Sequence, residues 1–162
     1  MRAVTLREPK KLAVRDVPVP QLAQDEVLLR VEATGICSTD LMVYQGRHTS
    51  LLPLIPGHES AGVVEQVGGR VTGLQEGDRA TTEASWGCGV CPLCEQGEAG
   101  LCLGRVSLGR TRDGTFAEYV AVPARAVHLL PPEVSFDQAQ ALVSVACAVR
   151  AIRRGSPDFG GR

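Results

Sequence analysis

Apolar and polar residues alternate in several short stretches of the chain, each rich in valine, leucine or alanine and set off by glycine or proline turns. This period of two is typical of half-buried β-strands, and it predicts strands over residues 1–6, 12–17, 26–32, 60–67, 79–83 and 116–122. Residues 17–20, Val-Pro-Val-Pro, are predicted to be an extended edge or connection, because proline cannot donate a ladder hydrogen bond. Many short strands with frequent turns predict a compact, barrel-like β domain.

The pattern becomes helical after residue 134. Ser135 and Gln138 have the spacing of a capping box, in which the two side chains satisfy free backbone N–H groups. Two arginines followed by Gly155 predict the end of this helical region, which is either one helix or two with a break near Ser144. Residues 156–162 are predicted to be an unstructured tail. The apolar residues at helical spacing are Leu142, Val145, Val149 and Ile152.

Length and charge narrow the class of protein. The 162 residues suffice for one domain with a substantial core, and the formal net charge of −1 offers no basic surface for nucleic acid or anionic membranes. No apolar run approaches the ~20 residues of a membrane-spanning helix, and the first residues lack the apolar core of a signal peptide. We therefore expect a cytoplasmic protein without nucleic-acid or membrane partners, whose six cysteines are reduced and serve in metal ligation.

Four of these cysteines are closely spaced, as Cys88-x-x-Cys91-x-x-Cys94-x7-Cys102. Thiolates two residues apart can converge on one tetrahedral ion, and a fourth thiolate that returns after a short loop closes the shell. Four sulfurs at about 2.3 Å with no open position are typical of a structural zinc site. The alternative is a pair of disulfides, which needs an oxidising compartment. The spacing and the lack of a signal-peptide pattern favour zinc.

A second set of metal-capable side chains lies upstream. Cys37 supplies a thiolate, and about twenty residues later His58 and Glu59 supply an imidazole and a carboxylate. Three protein ligands with one open place are typical of catalytic zinc. Taken singly, Cys37 is better explained as a small buried hydrophobe, and His58 as a core histidine bonded to the backbone.

In combination, these motifs resemble the N-terminal catalytic domain of the zinc-dependent medium-chain dehydrogenases, the alcohol, sorbitol and threonine dehydrogenase family. The resemblance covers residues 1 to about 155 and implies a GroES-like β-barrel-type domain over 1–134, with a zinc lobe at 86–104. It also implies that the helical segment 135–155 leads into a Rossmann domain. The matching segments are Gly35-Ile36-Cys37-Ser38-Thr39-Asp40, Gly57-His58-Glu59-Ser60-Ala61-Gly62-Val63-Val64, Gly77-Asp78-Arg79-Ala80, the four closely spaced cysteines, and Gly114-Thr115-Phe116-Ala117-Glu118-Tyr119.

The resemblance implies an NAD(P)-dependent oxidoreductase that interconverts alcohols and aldehydes or ketones by hydride transfer. Zinc held by Cys37 and His58, with Glu59 bound directly or through exchange with water, would lower the pKa of an alcohol and so ease the release of hydride. Thr39 matches the family hydroxyl that carries the alcohol's proton away, and Asp40 matches the carboxylate that orients His58. The alternative role of Thr39 and Asp40 is to cap a short helix, which is predicted to begin at Thr39 or one residue earlier.

Two positions depart from the family pattern. Met42 stands where many members have a histidine that extends the proton relay, and His48 is the nearby candidate to replace it. Many members also supply a glutamate or cysteine to the metal from the late helix, and Val143 occupies that position here. Cys147, one turn further on, is predicted to be a buried, inert cysteine, since only a shifted register would bring it to the metal.

No Gly-x-Gly-x-x-Gly opens a helix in this sequence, so no residue of the chain is assigned to cofactor binding. We expect NAD or NADP to be held by a further domain, and this chain to be inactive alone, as an isolated domain, a truncated product or one of two cooperating chains. The expected substrate is a small alcohol, polyol, aldehyde or ketone, and assembly into a homo-oligomer remains open.

Two other functions remain as alternatives. The first is a stand-alone zinc-binding GroES-like module with an interaction or assembly role and no catalysis. The second is a zinc knuckle for nucleic acid, which is weak because the flanking Glu95 and Glu98 and the near-neutral charge offer nothing to phosphates.

Overall fold

The computed structural model describes residues 1–155, which contain nine β-strands. The strands are β1 (Arg2–Leu6), β2 (Leu12–Asp16), β3 (Glu26–Gly35), β4 (Glu59–Val67), β5 (Arg79–Thr82), β6 (Ser85–Trp86), β7 (Val106–Ser107), β8 (Tyr119–Pro123) and β9 (Val127–Leu129). Five of them form an antiparallel sheet in the order β8-β3-β4-β5-β9. The β1-β2 hairpin and the short β6-β7 pair form two further sheets. The predicted mainly β, barrel-like fold is confirmed.

The core lies against the central sheet and is made of its inward-facing side chains. Val27 and Leu29 of β3 are fully buried, as are Val64 and Val122 to within 1% of their surface. Burial of each such side chain stabilises the fold by about 1.5–3 kcal/mol. The ten buried residues of this cluster are Val27, Leu29, Val64, Ala80, Trp86, Leu108, Val120, Val122, Ala126 and Val127.

The register between β3 and β4 brings two distant parts of the sequence together. Gly35, the last residue of β3, pairs with Glu59, the first residue of β4. A Cβ on Gly35 would lie 2.4 Å from a carboxylate oxygen of Glu59, so glycine leaves the room that this carboxylate occupies. Cys37 follows Gly35 by two residues and His58 precedes Glu59 by one, and the strand pairing therefore places both at the same end of the sheet.

Four α-helices complete the described residues: α1 (Ser38–Tyr44), α2 (Pro92–Glu95), α3 (Phe136–Ala139) and α4 (Leu142–Gly155). The predicted start of α1 is correct, but its N-cap is Cys37, and no hydroxyl caps it. The capping box predicted for α3 is present, with Gln138 N–H donating to Ser135 Oγ at 3.2 Å and Ser135 N–H donating to Gln138 Oε1 at 3.0 Å.

The break in the C-terminal helical region falls at Gln140 and Ala141, and the prediction of a break near Ser144 was wrong in position. The reason lies in packing. Ala139 of α3 is fully buried against the sheet, whereas no residue of α4 is buried, so the break separates a packed helix from a largely exposed one.

Helix α4 lies with its apolar stripe in solvent: Leu142, Val145, Val149 and Ile152 are 38–50% exposed. Arg150 and Arg154 attach it to the cysteine lobe by ion pairs to Glu98, the first at 3.1 Å. The tail predicted for 156–162 lies outside the described residues. Among residues 1–155, no helix has the length and apolar character needed to cross a bilayer.

Candidate metal centres

Asp40, on the first turn of α1, joins the two segments that carry the upstream metal-capable residues. Its side chain is buried, and Oδ2 accepts a hydrogen bond from the backbone N–H of Cys37 at 2.9 Å. Oδ1 accepts from the backbone N–H of Gly57 at 3.1 Å and lies 3.2 Å from Nδ1 of His58. One carboxylate therefore caps α1 and orients the imidazole at the same time.

Three potential ligand atoms converge at this end of the sheet. The sulfur of Cys37, an imidazole nitrogen of His58 and a carboxylate oxygen of Glu59 all lie within 4.8 Å of one another. Because Nδ1 of His58 is engaged by Asp40, its Nε2 is the nitrogen that is free to bind a metal. Thiolate, imidazole and carboxylate with room for one more group suit zinc in an open site.

The protonation of Cys37 and His58 is shifted in the direction of an ion pair. Burial would lower the pKa of His58, but the hydrogen bond and negative charge of Asp40, with a smaller contribution from Cys37, raise it to about 9. Burial would likewise raise the pKa of Cys37, but hydrogen bonds from the backbone and hydroxyl of Thr39, and from His58, lower it. A thiolate is the form of cysteine that binds metal.

A cavity of about 180 Å³ opens beside His58 and Thr39. Its other walls come from the residues around β6 and β7, which the sequence did not mark as functional: Ala84, Ser85, Arg105, Ser107, Leu108 and Arg110. Met42 is exposed on α1, and His48 is half-buried in the following loop; neither lines this cavity. A larger cavity of about 690 Å³ lies by the β1-β2 hairpin and contains none of the predicted site residues.

The buried Glu59 is held from the C-terminal helix. The hydroxyl of Ser144 donates to Oε1 of Glu59 at 3.0 Å, across a separation of 85 residues, and sequence reasoning missed this contact. Val143, at the position where many relatives carry a ligand, is half-buried. Cys147 is exposed on α4, so the prediction of a buried cysteine was wrong; no residue of α4 is buried.

The four closely spaced cysteines form a compact cluster at the surface. Their sulfurs lie 3.6 Å (Cys91 to Cys94), 3.8 Å (Cys91 to Cys102) and 4.0 Å (Cys88 to Cys94) apart. Sulfurs at the corners of a tetrahedron around zinc, each about 2.3 Å from the ion, are about 3.8 Å apart. All four are free thiols, which is the arrangement of a four-sulfur metal site and not of two disulfides.

Without a cation, the pKa values of two thiols in the cluster are shifted in opposite directions. Hydrogen bonds, first from the backbone N–H of Val90, lower the pKa of Cys88 to about 7. The backbone N–H of Gly89 would lower the pKa of Cys94, but desolvation and the other three sulfurs raise it to about 11. Four thiolates in one cluster therefore require a positive ion at their centre.

Gly87 allows the cysteine lobe to close. A Cβ at this position would lie 2.5 Å from the sulfur of Cys94 and 3.2 Å from the Cβ of Ala99. The carbonyl of Gly87 accepts a hydrogen bond from Nη2 of Arg125 at 3.0 Å, which attaches the lobe to the turn that follows β8. The backbone at position 87 thus lies too close to the sulfur of Cys94 for a side chain.

Fold and ligand groups together define the class: a barrel-like β domain with one closed four-sulfur site and one open site of mixed ligands. The chain belongs to the alcohol dehydrogenase GroES-like domain family, whose model matches residues 23–132. The resemblance inferred from the sequence motifs is thereby confirmed.

Individual relatives agree with this assignment. The chain is 36% identical to a sorbitol dehydrogenase of Halalkalibacterium halodurans, over 91% of this chain and 43% of that protein. It is 34% identical to a D-arabitol-phosphate dehydrogenase of Enterococcus avium, over 96% of this chain and 46% of that protein. A cobalt- and zinc-bound thermostable alcohol dehydrogenase from Pyrobaculum aerophilum superposes with a TM-score of 0.84 at 31% identity, over 93% of this chain and 48% of that one. The chain thus spans about half the length of the relatives it matches.

Proposed function

We propose that this chain is the catalytic domain of a zinc-dependent, NAD(P)-linked oxidoreductase that interconverts a small alcohol or polyol and its carbonyl compound. The observation that carries the proposal is the convergence of Cys37, His58 and Glu59 within 4.8 Å of one another, beside a cavity that His58 and Thr39 line. In this proposal, residues 1–134 are the catalytic domain, with the zinc lobe at 86–104, and 135–155 are a helical connection to the domain that holds the cofactor.

The donor set at the open site fits zinc. Asp40 bonds the backbone N–H of Cys37 and contacts the imidazole of His58, and Ser144 bonds Glu59, so the protein holds three ligands in place, with His58 at the cavity. When bound there, zinc supplies a Lewis acid that lowers the pKa of an alcohol and polarises a carbonyl.

Thr39 is the residue proposed to move the proton. It is half-buried and lines the cavity together with His58, so its hydroxyl can accept the proton of a substrate alcohol and pass it toward solvent. Asp40 does not touch the cavity; it keeps His58 in the tautomer that presents Nε2. Met42 cannot transfer protons, so the relay beyond Thr39 differs from that of relatives with a histidine there.

The cysteine lobe is proposed to hold a second, structural zinc through Cys88, Cys91, Cys94 and Cys102. Its four sulfurs leave no open position, so this ion would stabilise the lobe and take no part in the reaction. Free thiols that bind zinc persist in a reducing compartment, which supports a cytoplasmic location.

The proposed substrates and cofactor follow from the relatives, which are named for sorbitol, arabitol phosphate and alcohol oxidation. The nicotinamide cofactor would be held by protein beyond the described residues, because none of these forms a glycine-rich turn that opens a helix in the manner of a dinucleotide site. A small molecule is therefore the proposed partner of the open site.

The test is replacement of the ligands in the full-length enzyme. Cys37→Ala and His58→Ala should each lower kcat/KM by about 100-fold or more, because the Lewis acid contributes several kcal/mol to the barrier. Circular dichroism should show that folding is largely kept, and elemental analysis should show the loss of about one zinc per chain. Cys147→Ala is the matched control, since this thiol is exposed on α4 and lies in neither ligand group. Normal turnover and normal zinc content in Cys37→Ala would contradict the proposal.

A further inference from the structure

Two arginines without acidic partners border the cavity of the open site. Arg105 and Arg110 line it together with Thr39 and His58. Arg110 is half-buried, and its Nε and Nη2 donate to the carbonyl of Thr49 at 3.4 and 3.3 Å. Arg105 donates from Nη1 to the carbonyl of Gly100 at 3.2 Å. Among residues 1–155, no carboxylate lies within ion-pair distance of either guanidinium, so both charges remain uncompensated.

This arrangement is unfavourable for the domain alone. Burial, and then the positive charge of Arg105, lower the pKa of Arg110, so the two guanidinium groups repel each other across the cavity wall. Six arginines of residues 1–155 pair with a carboxylate, as Arg112 does with Glu26; among the arginines that do not, Arg105 and Arg110 are the two that line this cavity. Uncompensated like charges at the wall of a functional cavity indicate an anionic ligand.

The remaining walls favour a polar, hydroxylated molecule. Ala84 and Ser85 are small, and Ser107 is buried and also lines the cavity. These residues leave room for a narrow chain and offer hydrogen bonds to its hydroxyl groups. A bulky apolar alcohol would find only Leu108 as an apolar side chain of comparable size.

We propose that Arg105 and Arg110 bind the phosphate of a phosphorylated polyol, whose reacting hydroxyl lies at Thr39 and His58. This inference rests on the proposed function and names its substrate class. A phosphate monoester carries nearly two negative charges at neutral pH and three acceptor oxygens, which match two guanidinium groups better than a single carboxylate does. The phosphate would also remove the repulsion between the two arginines.

Kinetics of the full-length enzyme test the substrate class. We expect kcat/KM for sorbitol 6-phosphate to exceed that for sorbitol by about 10- to 100-fold, and Arg110→Gln to reduce this ratio by about tenfold or more, as expected for a charge-assisted hydrogen bond. The advantage of the phosphorylated substrate should shrink as salt is raised, because the contacts are partly solvent-exposed. A carboxylate probe, gluconate, distinguishes recognition of phosphate from recognition of any anion.

The control is Arg15→Gln, since Arg15 is an exposed arginine of β2 that lies outside this cavity. This variant should keep both the activity and the preference. If the enzyme oxidises sorbitol with zinc but discriminates against sorbitol 6-phosphate, the inference is wrong and the proposed function stands. The inference is also wrong if gluconate is preferred, or if Arg110→Gln leaves the ratio unchanged.

If the enzyme oxidises no polyol, this result counts against the proposed function. A binding measurement then tests the inference by itself. Calorimetry with the zinc-loaded chain and sorbitol 6-phosphate should detect binding that inorganic phosphate competes for and that Arg110→Gln weakens by about tenfold. Equal binding by Arg110→Gln and the unaltered chain, or no binding at millimolar ligand, would overturn the assignment of the two arginines.

Discussion

Replacement of Asp40 by asparagine tests the link between the two segments of the open site. The carboxylate now accepts hydrogen bonds from the backbone N–H groups of Cys37 and Gly57 and contacts Nδ1 of His58, at 2.9, 3.1 and 3.2 Å. The Cys37 N–H donates to Oδ2, whereas the Gly57 N–H and Nδ1 of His58 both contact Oδ1. An amide has one oxygen, so in Asp40→Asn the NH₂ group must face at least one buried donor.

The size of the loss in stability depends on which contacts the NH₂ group of the amide faces. If NH₂ faces Cys37, one charge-assisted hydrogen bond to the helix cap is lost; if it faces His58, two contacts are lost and the imidazole is released. Hydrogen bonds to a charged group contribute about 1.5–3 kcal/mol each, so the free energy of unfolding should fall by about 2–4 kcal/mol. For a domain of this size that is a decrease in Tm of about 5–15 °C. Zinc affinity at the open site should fall about 10- to 100-fold, the usual effect of removing a group that orients a metal ligand.

The assay combines urea unfolding with zinc competition against a chelator. Asp113→Asn is the matched control, because Asp113 is exposed and Oδ1 accepts a single hydrogen bond, from Ile55 N–H at 2.9 Å. In that variant the amide oxygen can keep the bond while NH₂ faces water, so the loss should stay below about 1 kcal/mol. If Asp40→Asn and Asp113→Asn were equally stable and bound zinc equally well, the assignment of Asp40 as the organising residue would be refuted.

Two further predictions concern the cysteine lobe. Gly87→Ala should release the lobe zinc and lower Tm, because a Cβ would lie 2.5 Å from the sulfur of Cys94; Gly100→Ala, with open space at its Cβ position, should keep the metal, and equal zinc content in both variants by elemental analysis would contradict this. Removal of zinc by a chelator should speed amide hydrogen exchange throughout residues 88–102 while the Gly57 N–H stays protected by Asp40. Uniform loss of protection at both places would show that the open site also depends on its metal.

The strands and the ligand groups could be read from the sequence because their signals are local. Six strands were predicted to within three residues at either end, since alternation of apolar and polar residues reports directly which face is buried. Strands β6 and β7 are two residues long and β9 is three residues long, so all three are too short to show a periodic pattern. Their pairing is determined by tertiary contacts.

The contacts that sequence reasoning missed all join distant segments. Ser144 reaches Glu59 across 85 residues, and nothing in the local sequence of α4 distinguishes this serine from one at a helix break. Arg105 and Arg110 reach the open site because the β6-β7 pair returns the chain from the lobe to the cavity. The exposure of Cys147 depends on what packs against α4, which local sequence does not reveal.

The two ligand groups differ in what holds their members together. In the lobe, all four sulfurs come from residues 88–102, and no residue of α2, the helix between them, is buried. The metal itself must therefore supply most of the free energy that orders the lobe. At the open site, the strand register brings Cys37 and His58 together, and Asp40 fixes both before any ion binds. A ligand set that is ordered by the protein can leave one coordination position free without collapsing, and an open position is what a substrate oxygen needs. The lobe has no such independent support, and its fourth sulfur is required to close it. The proposed division of labour between a reactive ion and a structural ion therefore agrees with how each candidate ligand set is built into the fold.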